Sequence, residues 1–395
     1  MYKNILVINL MHLGDLLLVT PVLRTLRAAY PQARLTLLAD RKLRDIVECN
    51  PNLDACLFLD KKGKDDNLWH LLKFICRLRR QQFDLVINLH RNERASALAA
   101  FSGGRRIVGY AKPGFGAFFT AVMPNRHFAK HQVYAHYDVL RELAGVRTIE
   151  DRGLEMVVPP EAAAKGAALW QREIPADARV IALNIGASWL TKRWLKEYFA
   201  ICADRLLAEG YHVAFFGGPM DEEIVRECLG DMQTEDKARV HVFTGRVSLG
   251  ELAELLSRCL LFITTDSGPM HVGVAMHVPV VTMFGASPVT GFAPYDSRAI
   301  LVKTPEPCHP CRIHECQRQG EEHLACMKHI TPEIVLRCAH KLLQESGGRP
   351  GRELPAPTAF DCRVIDLARP EGQQLARPQD FAMDTTDTNP VIRLK

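Results

Sequence analysis

Short apolar runs recur along this chain, each followed by a segment whose apolar residues fall at helical spacing, and no other feature limits the fold as strongly. Residues 3–10, KNILVINL, read as a strand buried on both faces, because Ile, Val and Leu follow one another almost unbroken. ARLTLLAD, ACLFLD, FDLVINLH and RRIVGY repeat the pattern over residues 33–110, with RKLRDIVECNP, NLWHLLKFICRLRR and ERASALAAF between them. Strands alternating with helices imply a parallel sheet covered by helices on both faces. Residues 148–164, TIEDRGLEMVVPPEAAA, follow neither period, and Pro159-Pro160 favours an extended connector there. The alternation resumes from RVIALNIG at 179–186 and continues to PVVTMFGA at 279–286. The pattern predicts an α/β protein of two successive doubly wound domains, 1–155 and 156–345. A Pro-, Arg-, Gly- and Asp-rich tail at 346–395 is expected to be mostly disordered.

A chain of 395 residues, 47% of them hydrophobic, can fill two sizeable cores, so small stapled scaffolds are excluded. No stretch approaches the ~18 apolar residues of a membrane span, and MYKNILVINL is too short for a signal peptide's apolar core plus cleavage site. A cytoplasmic chain is expected, with its twelve cysteines as thiols or ligands rather than disulfides. The net charge of +5 conceals an asymmetry. Residues 1–155 hold 24 Lys/Arg against 15 Asp/Glu, which suggests an anionic partner, although a solvated basic face is the commoner meaning.

Several strand ends carry candidate chemistry. After the first strand, Gly14-Asp15 interrupts the apolar run NLMHLGDLLLVTPVL; the plain reading is that Asp15 caps the next helix. Thr20 and Pro21 would be the N-cap and first-turn residues of that helix, or it begins near Asp15 and kinks at Pro21. In LLFITTDSGPMH the strand ends at Thr265, Asp266-Ser267-Gly268 form a tight turn, Pro269 suits a first helical turn and His271 lies one turn in. Such a turn aims free amides and a positive helix end at one spot, which suits a phosphate; the alternative is an ordinary capped helix. ASWLTKRW brings Ser188, Thr191, Lys192 and Arg193 to another strand end, where a cation can neutralise a departing phosphate or simply be solvated. FFGGPMDEE adds a third glycine loop, and Ser248 with Glu251 forms a capping box. No G-x-G-x-x-G follows a strand, which disfavours an NAD-type site. Cys308, Cys311, Cys316 and Cys326, interspersed with His309, His314 and His323, have spacing that could hold zinc or an iron-sulfur centre, with a reduced structural loop as the favoured reading.

Taken in order, NLMHLGDLLLVTPVLRTLRAAYP, NIGAS…TKRW, FFGGPMDEE, FTGRVSLGELAELLSRC and TTDSGPMHVGVAMHVPVVTMFG resemble the glycosyltransferase family 9 heptosyltransferases of lipopolysaccharide core assembly, over residues 3–345. The resemblance implies a GT-B architecture: two facing Rossmann-like domains with an interdomain cleft, the first for the acceptor and the second for an ADP-heptose donor. It implies Asp15 as the general base of an inverting transfer, with Gly14 keeping the approach open. Lys192 would contact the donor's phosphate and sugar. Asp266, Ser267 and Gly268 would bind heptose hydroxyls and pyrophosphate, with His271 and Ser188 nearby. Enzymes of the family that add the first core heptose have paired threonines where this chain has Ala187-Ser188. The implied partners are ADP-heptose, a lipid-anchored lipopolysaccharide core and the cytoplasmic face of the inner membrane, with no nucleic acid, cofactor or divalent metal. Two other readings stay open at this stage: a family 9 transferase using another nucleotide sugar or glycan, and a non-catalytic or metal-regulated nucleotide-binding protein.

Overall fold

The computed structural model describes residues 2–61, 63, 67–124, 128–360, 362–368, 375–376 and 392–393. The chain divides between Val157 and Val158 into two compact units. In the first, β1 (Asn4–Ile8), β2 (Arg34–Asp40), β3 (Ala55–Leu59), β4 (Leu85–Asn88), β5 (Arg106–Gly109) and β6 (Ala121–Val122) pair in parallel in the order β6-β5-β4-β1-β2-β3. In the second, β7 (Val180–Asn184), β8 (His212–Phe216), β9 (Val240–Val242), β10 (Leu261–Thr265), β11 (Val280–Phe284), β12 (Ala299–Lys303) and β13 (Arg363–Asp366) run in the order β13-β12-β11-β10-β7-β8-β9, again all parallel. The short β14 (Leu375–Ala376) pairs antiparallel with β13, and β15 (Ile392–Arg393) antiparallel with β6.

Both sheets reverse their strand order once. β1 has β2 on one side and β4 on the other; β7 has β8 on one side and β10 on the other. At such a reversal the connections depart to opposite faces of the sheet, which opens a crevice beyond the strand carboxyl ends. The first crevice lies between the loops after β1 and β4, the second between the loops after β7 and β10. The strands beneath are continuous apolar runs buried on both faces, as the sequence predicts: β7, β10 and β11 have no exposed residue.

Three expectations are corrected. Pro160 does not continue an extended connector but opens a helix, Pro160–Glu173, as a first-turn proline; it packs on the helix Leu249–Ser257. Its Ala-rich sequence leaves little apolar period to read, and Gly166 gives the close approach, since a Cβ there would lie 2.9 Å from Glu254 Cγ. The segment from Thr20 is a separate helix, Thr20–Ala29, after a short one, Leu13–Leu17, and Val19 rather than Thr20 is its N-cap. The first part of the tail is not disordered. Gly351 N–H donates to Cys259 O at 3.1 Å, and β13 adds to the sheet edge with a buried Lys303–Asp366 ion pair at 3.0 Å. Residues 346–360 and 362–368 therefore belong to the second unit; beyond β14 and β15 the remainder of the tail lies outside the described residues.

The helix Gly268–Ala275 lies close to β10 because Gly273 has no side chain. A Cβ there would sit 2.7 Å from Cδ1 of the fully buried Phe262. Helix propensity alone would make Gly273→Ala stabilising by ~1 kcal/mol, but overpacking a close-packed contact costs ~1–3 kcal/mol. Gly273→Ala is expected to lower the thermal midpoint, and an unchanged or higher midpoint would show that the contact yields.

Candidate active site

In the second unit, one buried amide organises the crevice. Asn184, the last residue of β7, donates from Nδ2 to Gly186 O at 3.1 Å, Thr264 Oγ1 at 3.2 Å and Ser267 Oγ at 3.1 Å. Thr265 Oγ1 also donates to Gly186 O at 2.7 Å, so the loops after β7 and β10 are held as one surface. Lys192, in a short helical turn of the first loop, places Nζ 3.1 Å from Oδ2 of the buried Asp266 and 4.7 Å from the ring centroid of Trp189. Ser267 is the N-cap of the helix Gly268–Ala275 but spends its hydroxyl on Thr265 O at 3.3 Å instead of a cap bond. His271 is buried one turn into that helix, while Ser188 stands exposed outside the network.

Behind this surface lies Asp221, from the third glycine loop. Its Oδ2 accepts from Gly218 N at 2.9 Å, and Arg193 stands 3.9 Å from its other oxygen. Burial raises the carboxyl above its ordinary range, against the opposing pull of the Gly218 amide and Arg193. A Cβ at Gly186 would fall 2.1 Å from Asp221 Cγ, so this loop requires glycine for space. The cysteine segment braces the same surface from the other side. Arg312 N–H donates to Ala286 O at 3.0 Å, Thr191 N–H to His314 O at 3.3 Å, and the His314 ring stacks on Trp189 at 4.2 Å. Cys308, Cys311, Cys316 and Cys326 are free thiols, and among the described residues no group of three or more His, Cys, Asp or Glu is placed to hold a metal ion.

In the first unit, His12 is the N-cap of the Leu13–Leu17 helix, with Gly14 buried and Asp15 half-buried in its first turn. Asp15 therefore does not cap this helix. At or just beyond other strand carboxyl ends of the same sheet stand Lys61, His90, Arg91, Arg94 and Tyr110, which the sequence patterns above do not single out. Lys61 donates to Leu10 O at 2.6 Å and pairs with Asp40 at 2.9 Å; Arg94 donates to Lys61 O at 3.0 Å; Arg91 lies 4.8 Å from the Tyr110 ring centroid. Asn88, the last residue of β4, donates to His90 O at 2.9 Å and Tyr110 O at 2.6 Å. Their signal was position: NLHRNER begins at a strand's end, as NLMHLGD does.

The fold defines a two-unit α/β protein with a polar site at the strand-order reversal of each sheet. The description "Glycosyltransferase family 9 (heptosyltransferase)" matches residues 71–321, and the chain belongs to that family: it is a glycosyltransferase. It is 24% identical to lipopolysaccharide heptosyltransferase 2 of Escherichia coli K12 over 86% of this chain and 98% of that protein. With lipopolysaccharide heptosyltransferase 3 of the same strain it shares 25% over 84% and 96%. A crystal structure of a family 9 glycosyltransferase from Veillonella parvula superposes with a TM-score of 0.77 at 34% identity, covering 87% of this chain and 98% of that one. Among the described residues no helix is long and apolar enough to cross a membrane.

His90 gives the site a pH signature. Burial, with Lys61 and His12 adding to it, lowers its imidazole from 6.5 to about 4. The folded chain prefers neutral His90, so its contribution to stability is present above pH 6.5 and lost as pH falls towards 4; its size is on the order of 3 kcal/mol. His90→Gln should make stability fall less steeply between pH 6.5 and 4 in denaturant titrations, whereas an unchanged slope would place the ring in water.

Proposed function

We propose that this chain moves a heptose from ADP-heptose to the inner core of lipopolysaccharide, inverting the anomeric carbon, at the cytoplasmic face of the inner membrane. What supports this reading is the placement of Asp15 at the strand-order reversal of one sheet and of Lys192, Asp266 and Ser267 at that of the other. Related chains named as lipopolysaccharide heptosyltransferases, matched over nearly their whole length, point to the same donor and acceptor.

In the proposed reaction an acceptor hydroxyl oxygen attacks the anomeric carbon of the donor as its proton passes to the Asp15 carboxylate. The bond between that carbon and the diphosphate oxygen breaks, and its electron pair leaves with ADP. Lys192 then neutralises the charge that grows on the leaving group, with the Ser267 and Gly268 amides and the helix end beside them. Asp266 accepts hydrogen bonds from sugar hydroxyls once Lys192 turns to the phosphate. Gly14 leaves room beside the base, and His271 and Ser188 are secondary contacts on the donor side. Lys61, Arg91 and Arg94 supply the positive field for a phosphorylated, carboxylate-bearing acceptor.

Calorimetry with ADP-heptose, ADP-glucose and UDP-sugars tests the donor, and tight binding of another sugar nucleotide in place of ADP-heptose would overturn that assignment. Asp15→Asn should keep donor affinity within a few-fold while lowering turnover by roughly 10²-fold or more, since the base is lost and the shape kept. Near-normal turnover would return Asp15 to a structural role. Lys192→Ala should weaken both donor binding and turnover; a variant matching the parent in both would leave Lys192 a partner of Asp266 and nothing more.

A further inference from the structure

The helix Leu68–Arg79 turns an unusual face to water. Its inner side, Leu71, Phe74, Ile75 and Leu78, packs into the first unit's core. Its outer side carries Trp69, 76% exposed, and Leu72, 44% exposed, with Cys76 exposed one turn on. These three fall on one stripe at i, i+3 and i+7. Lys73, Arg77 and Arg80 flank the stripe on one side and Arg79 on the other, and Asn67–Gln82 contains no carboxylate. Among the described residues none of these four cations has an ion pair.

The apolar surface continues beyond the helix. A Cβ at Gly103 would lie 3.3 Å from Arg79 Cγ, so the end of the next helix abuts this one. There Phe101, 36% exposed, meets Phe118, 53% exposed, at 5.2 Å between ring centroids. Folding alone gains nothing from a tryptophan held in water.

We propose that the outer face of Leu68–Arg79 docks this chain on an anionic lipid surface, Trp69 and Leu72 entering the headgroup region while Lys73, Arg77, Arg79 and Arg80 pair with lipid phosphates. An apolar stripe bordered by cations, without acids, is the pattern of a helix lying in a membrane interface. A protein partner fits less well, because the helix itself carries no acid to complement a partner's cations. Asn67, which caps the helix by accepting from His70 N at 2.9 Å, follows the loop after β3, so Trp69 lies towards the strand carboxyl ends where Asp15 stands. A sheet held this way would present its loops to sugars rising from the membrane. That purpose rests on the lipid-anchored acceptor proposed above; the docking itself does not.

The test is co-sedimentation of the whole chain with vesicles of phosphatidylcholine alone or mixed with phosphatidylglycerol. Binding is expected only to the mixed vesicles and should weaken as salt is added. Trp69→Ser with Leu72→Ser, and separately Arg77→Gln with Arg80→Gln, should each weaken it at least about tenfold. Transfer to a delipidated, water-soluble core oligosaccharide should be unchanged in both. Brominated acyl chains should quench fluorescence of the parent, and Trp69→Phe should remove that quenching while keeping the binding. Equal vesicle binding by parent and variants would overturn the proposal. So would equal loss of transfer to the soluble acceptor, or self-association that Trp69→Ser abolishes, which would make the face a contact with a second copy. Vesicle binding by a parent that transfers no heptose would sink the proposed function and leave the docking surface standing.

Discussion

An asparagine buried at the end of a parallel strand is the constraint on which both sites depend. Asn9, Asn88 and Asn184 follow or end β1, β4 and β7, and all three are almost wholly buried. A buried amide without partners costs ~1–3 kcal/mol, and for Asn88 and Asn184 loop backbone comes to meet the amide, whereas Asn9 Nδ2 finds no hydrogen-bond partner among the described residues. Asn184 binds its own loop and the one after β10; Asn88 binds its own and the one after β5; Asn9 Oδ1 accepts from Met11 N at 3.0 Å and turns the chain towards Asp15. The sheets supply the crevices through their strand order. The asparagines Asn88 and Asn184 then tie strand ends to neighbouring loops, which fixes the surfaces on which the polar groups stand.

The Lys192–Asp266 pair shows how such a surface can be both stable and available. With Asp266 buried and Lys192 half-buried, an unpaired charge on either would be costly, so each satisfies the other. Trp189 offers Lys192 a second attractive neighbour, its ring face, while His314 stacks on the same ring. In the proposed reaction a diphosphate takes over from the carboxylate as the lysine's partner. The exchange replaces one anion with another, and the lysine is never left without a counter-charge.

Sequence made the sheets legible because strands buried on both faces are continuous apolar runs with no competing reading, as in VIALN and LFITT. It also marked the Ser248 capping box, where Ser248 N–H donates to Glu251 and Glu251 N–H to Ser248 Oγ. It misread Pro160–Glu173 because alanine carries no amphipathic signal, and β13 because its burial comes from pairing with β12, far off in sequence. At the site, order along the chain revealed Asp266-Ser267-Gly268 and Lys192 individually. Their pairing was not legible, since it depends on β7 and β10 becoming neighbours across about eighty residues. Lys61, His90 and Arg91 went unread for the same reason: Lys, His and Arg in a polar loop look solvated until the strand order gathers them.

The four-cysteine segment has a packing role beside whatever chemistry its spacing suggests. A metal site of this kind needs thiolates, and binding must displace their protons. Burial, with the negative charge that Cys308, Cys311 and Cys316 would carry as thiolates, pushes the Cys326 thiol up to about 12. What the segment contributes in this state is backbone: the Ala286 and His314 carbonyls accept from Arg312 and Thr191, and Gly285 gives Cys326 room, since a Cβ would stand 3.0 Å from its Sγ. The His314 contact ends on the loop that carries Lys192, the other two on the loop after β11. Thr191 and Trp189, the two residues on which His314 leans, stand beside Lys192 in its loop.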